Sequence, residues 1–280
     1  MAGPRPTNSP PPGSDLVRRL ITATIGFPLI FVAGWFGGWT FAAVAAAVLF
    51  LASTEFVRGW LIPSHPVIEG FQFWAVSGAV AATAGLVQAD ERAPLVAALL
   101  AVFCAGVGYG PTRRFGPRRP YRVFAWSLVY LGVLGSGLVL VRGLGNGREW
   151  FFLALLATFA TDTSAYATGR LVGRRRLWPR VSPNKTWEGA VGGLAAGVIV
   201  VLALNVVFEL DLSSVRLLAL VFTIPVAAQL GDFFESWMKR RMGIKDASGL
   251  LPGHGGFLDR LDSVLFVMPC VFLIAEAGTS

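Results

Sequence analysis

Histidine, cysteine and charge are all scarce in this chain. Its 280 residues hold two histidines, His65 and His254, and two cysteines, Cys104 and Cys270, and only 14% are Asp, Glu, Lys or Arg. Both cysteines fall inside apolar runs, so neither a disulfide framework nor a thiolate metal site is expected, and redox chemistry has no support. The patterns HExxH, GxSxG and GxxxxGK[ST] are absent, which removes zinc-protease, α/β-hydrolase and P-loop readings. With 54% of residues hydrophobic and a mean hydropathy of +0.63, a soluble globular protein is excluded too. What charge there is amounts to 24 Lys+Arg against 16 Asp+Glu, clustered between long apolar runs rather than spread along a solvated surface. The chain reads as a polytopic membrane protein of the all-α class, a helical bundle with membrane lipids and no nucleic acid as its surroundings.

Residues 1–16 are Pro-rich and read as a disordered cytoplasmic tail. The run that begins after Arg18 and Arg19 continues past Gly34 without a convincing cleavage site, so it reads as a retained anchor. Crossing the hydrocarbon core takes about 20 apolar residues at a rise of about 1.5 Å each. On that rule nine spans are expected, near 20–36, 39–57, 67–88, 94–110, 123–141, 150–168, 189–208, 215–234 and 262–277. About five lie in an N-terminal region, 17–149, and about four in a C-terminal region, 150–280, which carries two basic loops. Lys and Arg accumulate on the cytoplasmic side. An N-in, C-out topology puts 20 of the 24 basic residues inside, leaving Arg92, Arg142, Arg148 and Arg216 outside. Topology accounts for the arginine-rich loop from Arg113 to Arg122, with attraction to anionic lipid as the alternative.

A carboxylate in hydrocarbon costs about 2.5–3.5 kcal/mol, so acids at membrane depth call for a partner or a function. They occur at four places: Glu55, Asp162, Asp232 with Glu235, and Asp259 with Asp262. The two longest inner loops, 169–188 and 235–261, join the helices that carry most of these acids and hold 11 of the 24 basic residues. Carboxylates and cations therefore converge on one inner face. Hard carboxylates bind Mg2+ through few contacts and leave its other positions to water and phosphate oxygens, while Lys and Arg hold the remaining phosphate charge. The composition suits phosphate chemistry at a membrane surface.

The richest segment runs from Gln229 to Asp262, QLGDFFESWMKRRMGIKDASGLLPGHGGFLDRLD. Asp232, Glu235 and Ser236 share one helical face, which Lys239 continues if the helix extends. The run from Pro252 to Gly256 cannot be helical, and its glycines leave backbone N–H groups open to a phosphate. Asp259 and Asp262 follow at the mouth of the last span, where both can face Asp232 across a shared metal or serve as helix caps. This stretch resembles the signature of the phosphatidate cytidylyltransferases (CDP-diacylglycerol synthases). Ser236, Lys239, Arg240, Lys245, Asp246, Pro252, His254, Gly255, Gly256, Asp259, Arg260 and Asp262 fill its 27-residue pattern. A second block, Thr161 to Gly189, resembles that family's other hallmark with two departures: Ser164 stands where Gly is usual, and Asn184 where Lys is common. In that block Ser182-Pro183 has the form of a helix N-cap followed by Pro, opening a helix beside Lys185. Glu188 reads as a first-turn acid, and the spacing of Gly189 and Gly193 as helix packing.

The resemblance implies transfer of CMP from CTP to phosphatidate by in-line attack of the lipid phosphate, in an inner membrane with the site facing the cytoplasm. It implies Mg2+ held by Asp232 and Asp259, with Asp246 and Asp262 as further ligands or as groups that orient them, and it admits a monovalent cation such as K+ and a homodimer. Lys239, Arg240, Lys245, Arg260 and Lys185 are expected to hold phosphates. Asp162, Ser182, Glu188, Ser236, His254, Gly255 and Gly256 complete the expected substrate contacts. Two alternatives are a related transferase acting on another lipid phosphate or a polyprenol, and an ion-coupled transporter. A relay would spread its acids through the bilayer, whereas these crowd to one side.

Overall fold

A backbone inside hydrocarbon finds no water for its N–H and C=O groups, so each long apolar run must satisfy them within itself as a helix. The structure, a computed structural model, describes residues 28–61, 71–89, 119–251 and 255–277, with Thr24 and Gly26. A helical stretch over 28–36 precedes α1 (Gly38–Leu61) and α2 (Phe71–Ala89). Next come α3 (Arg119–Ser127), one π-helical stretch (Leu128–Val133) and α4 (Leu134–Gly143), which run on as a single rod because the residues joining them keep right-handed helical dihedrals. α5 (Gly147–Leu171), the strands β1 (Arg176–Trp178) and β2 (Ser182–Thr186), α6 (Trp187–Val207), α7 (Ser214–Met242) and α8 (Leu258–Glu276) complete the chain.

Among the described residues, four helical segments are long and apolar enough to cross a membrane: Gly38–Trp60, Val123–Gly143, Trp187–Val207 and Ser214–Met242. The runs expected near 67–88, 150–168 and 262–277 coincide with α2, α5 and α8. The tail 1–16, the start of the run at 20–36, the run at 94–110 and most of the arginine-rich loop lie outside the described residues. α7 continues two turns past the expected end at 234 and closes on Gly243, whose φ of 77° is the left-handed conformation a helix stop favours. That extension places Lys239 and Arg240 on the same helix as Asp232.

The basic loop after α5 departs from the all-α expectation. It folds as an antiparallel ribbon in which Arg176 pairs with Thr186 and Trp178 with Ser182, with an irregularity between the two pairs. Ser182-Pro183 therefore does not open a helix. The irregular pairing tolerates a proline that has no N–H to give, and the helix starts four residues later. Thr186 is the cap: its Oγ1 accepts the Gly189 N–H at 3.1 Å.

Small residues let α5 and α6 approach closely. A β-carbon on Gly193 would lie 2.8 Å from Ala165 Cβ and from Thr161 O, and one on Gly197 would lie 2.8 Å from the Pro225 ring of α7. Glycine at 189, 193 and 197 is thus the condition for the α5–α6–α7 contact. Gly193→Val is expected to force these helices apart at a cost of about 1–3 kcal/mol. Thermal melting in detergent checks this, and an unchanged transition would refute the close-packing account. The buried Tyr130 and Phe56 form an aromatic cluster with the half-buried Phe234 and Phe266, with Tyr130 and Phe234 centroids 5.2 Å apart.

Candidate active site

α7 and α8 cross at Gly231, where a β-carbon would meet the Asp262 carbonyl and lie 3.0 Å from Ser263 Cα. That close crossing brings Asp232 and Glu235 of α7 beside Asp262 of α8. One carboxylate oxygen from each lies within 4.8 Å of the other two. Glu235 is only 1% exposed, and its Oε1 has no hydrogen-bond partner among the described residues. Three carboxylates this close repel one another when ionised, and a cation between or beside them relieves that repulsion. Their oxygens are hard donors of the kind Mg2+ takes, and the orphaned Glu235 oxygen adds an acceptor still to be satisfied. The donor set fits a divalent cation.

Two lysines partly supply that positive charge. Lys185 reaches from β2 to Asp232, Nζ to Oδ2 2.6 Å, with its ammonium 3.9 Å from the centre of the Phe233 ring. Lys239 donates to Glu235 Oε2 at 2.7 Å and to Asp259 Oδ1 at 2.9 Å, so one ammonium ties α7 to α8. Asp259 accepts two further hydrogen bonds, from the N–H of Gly256 at 2.8 Å and of Ala247 at 3.1 Å. Its carboxylate braces the loop between α7 and α8. Gly255, at φ 79°, lies so close to that carboxylate that no side chain fits.

Beside Asp232 opens a cavity of about 490 Å3 between α5, α6 and α7 under the ribbon. Asp162, Tyr166, Arg170, Arg176, Lys185 and Gln229 supply its polar wall, and Ala165, Leu177, Ala190 and Phe233 its apolar wall. Phosphates would meet cations there and apolar groups would meet the helix faces.

The expected site residues separate into groups. Asp232, Asp262, Lys185, Lys239 and Asp259 converge, and Asp162 shares the cavity. Of the two acids expected to hold a metal, Asp232 stands in the three-acid group, and Asp259 stands next to it, bonded to Lys239 and the loop. Neither Asp259 nor Asp262 caps α8; Asp259 is in its first turn, and Asp262 accepts the N–H of its neighbour Ser263. Ser236 is half-buried one turn after Asp232, while Lys245, Asp246 and Arg260 are exposed. Arg240 Nε donates to Val181 O at 3.4 Å and so tethers the ribbon to α7. Ser182 lies in β2, and Glu188 accepts the N–H groups of Arg174 and Arg175, holding the ribbon's entry. Gly256 is buried against Glu55, and His254 lies outside the described residues. Sequence reasoning placed Glu235 on the Asp232 face without giving it a site role; the three-residue spacing is the signal that marks it. Tyr166 and Arg170 follow Asp162 at four-residue steps along α5, a spacing that marks them; Arg176 carried no such signal, because a ribbon rather than a helix brings it over the cavity.

The cytidylyltransferase family model matches residues 17–277 of the chain. Phosphatidate cytidylyltransferases from Staphylococcus saprophyticus and Bacillus subtilis are 40% and 39% identical over 151 and 149 residues. These matches cover 54% and 53% of this chain and 58% and 55% of the relatives, so it aligns with a little over half of each relative's length.

Proposed function

From the premise that this chain belongs to the cytidylyltransferase family, we propose that it transfers a cytidylyl group from CTP to phosphatidate, leaving CDP-diacylglycerol in the membrane and releasing pyrophosphate. The observation that carries this reading is the three-acid group of Asp232, Glu235 and Asp262 set beside a cation-lined cavity at one end of apolar helices.

An oxygen of the lipid phosphate attacks the α-phosphorus of CTP, the new P–O bond forms, and the bond to the β-phosphate oxygen breaks. The main barrier is the approach of two anions, so holding and neutralising phosphate is the protein's task. Lys185, Arg170 and Arg176 meet phosphate charge at the cavity wall, and the exposed Arg240, Lys245 and Arg260 gather it from solvent. A phosphate nucleophile is already ionised near neutral pH, so no side chain has to remove a proton. The scarcity of histidine agrees with that. Asp232, Glu235 and Asp262 would hold Mg2+, which when bound supplies positive charge to the triphosphate. The relatives' names and the apolar helices support a bilayer substrate, and the basic-residue asymmetry supports nine spans with the site on the cytoplasmic side of an inner membrane.

The test is an assay with radiolabelled CTP and phosphatidate in detergent. Lipid-linked label should appear with Mg2+ and fall by about 10²-fold or more with excess EDTA. Full turnover in EDTA would overturn the metal assignment, and no lipid-linked label under any condition would overturn the reaction.

A further inference from the structure

The acids of α7 and α8 leave one deeply buried carboxylate unused. Glu55 lies near the inner end of α1, 3% exposed, outside both motif blocks. Its oxygens are taken up by three donors from the loop that leads into α8. The Ser248 hydroxyl donates to Oε1 at 2.5 Å, the Phe257 N–H donates to Oε1 at 3.1 Å, and the Leu258 N–H donates to Oε2 at 2.8 Å. A β-carbon on Gly256 would lie 2.7 Å from the carboxylate carbon, so the loop backbone is pressed onto this side chain.

The position explains the chemistry. The first N–H groups of a helix have no partner within it, and a negative charge is favoured at that end. α8 has no capping side chain of its own: its flanking residue Phe257 makes no side-chain cap. The cap comes instead from a residue 203 positions earlier in the chain. Asp259 grips the same loop from within α8, through Ala247 and Gly256. The loop is therefore held between two carboxylates, and its far end sets where Asp259 and Asp262 stand against Asp232, Glu235 and Lys239.

We propose that Glu55 is a positioning residue: by binding Ser248, Phe257 and Leu258 it fixes the start of α8, so that the α8 acids meet those of α7 in the geometry that serves the reacting phosphates. The proposal rests on the cytidylyl-transfer reading. Glu55 faces the loop and is not among the residues that line the cavity of α5, α6 and the ribbon. Its loss should thus disturb turnover more than CTP binding.

The experiment uses the full chain in detergent, comparing wild type with Glu55→Gln, Glu55→Ala and Ser248→Ala. Gln keeps the volume and one acceptor oxygen but turns an NH2 group towards a loop N–H. Amide hydrogen exchange over 247–251 and 255–258 should speed up by about tenfold or more in Glu55→Gln, while α6 keeps its protection. The kcat should fall by on the order of 10- to 100-fold, as for a group that orients a ligand, with KM for CTP changed by less than about threefold. Ser248→Ala removes one donor without stranding a charge and should show the same pattern more weakly. It decides the matter should both Glu55 variants fail to fold. Unchanged loop exchange in Glu55→Gln overturns the clamp. A loosened loop with wild-type kcat overturns the positioning role. If wild type itself makes no CDP-lipid, the functional reading fails and takes the positioning role with it, whereas loop exchange still judges the clamp.

Discussion

Asp232→Asn should lower lipid-nucleotide formation by on the order of 10²- to 10³-fold while the protein stays inserted and folded. The carboxylate has a third of its side chain exposed, so removing its charge leaves no unpaired acid in the core. Lys185 loses its ion-pair partner but keeps the Phe233 ring and access to water. The stability change should be small, as for other partly exposed pairs. The effect on rate has a different origin. A group that stabilises charge in the transition state contributes several kcal/mol, and each 1.36 kcal/mol is tenfold in rate. With one of three charges gone, half-maximal activity should also need more Mg2+. The measurements are kcat and KM for CTP across a Mg2+ titration, with a melting curve to confirm folding. Turnover within a few-fold of wild type at unchanged Mg2+ dependence would remove Asp232 from the cation site.

Much of this arrangement is legible in the residues alone, and the exceptions have physical causes. Apolar runs near 39–57, 189–208 and 215–234 emerge as α1, α6 and α7, because hydrocarbon allows a lone segment few alternatives to a helix. The glycine spacing at 189 and 193 is helix packing, as Ala165 and Thr161 show. The Ser182-Pro183 start failed because a local cap pattern is a weak signal. Thr186, extended at φ −124° and followed by an acid, caps α6 equally well once the ribbon's pairing has claimed Ser182. Which acids stand beside Asp232 was hidden for a similar reason. Spacing along a helix says which residues share a face, but not how two helices cross. The Gly231 contact sets that crossing, turning Asp262 rather than Asp259 towards Asp232. Glu55 could be seen as an acid at membrane depth; its partners lie about 200 residues away and no local pattern names them.

Lys239→Met should cause the largest loss of stability of any change at the site. The ammonium stands between Glu235 and Asp259, whose side chains are 1% and 6% exposed. Methionine has nearly the same length, so the variant removes charge and hydrogen bonds with little change of volume. What remains is a pair of buried carboxylates facing each other without a cation, a situation that costs about 3–5 kcal/mol. At about 2–4 °C per kcal/mol for a protein of this size, the melting temperature should fall by roughly 10 °C. If charge is the cause, adding Glu235→Gln should recover part of the loss, because one of the two opposed acids is then neutral. If packing is the cause, the double variant should be worse than the single one. Melting curves of wild type, both single variants and the double variant separate the two. Mg2+ should also stabilise Lys239→Met more than wild type, since the vacated place between two acids suits a cation. The lysine thereby divides the acids of α7 and α8 into two sets: Asp259 is pinned to the loop, and Asp232, Asp262 and the free oxygen of Glu235 stay open to a divalent ion.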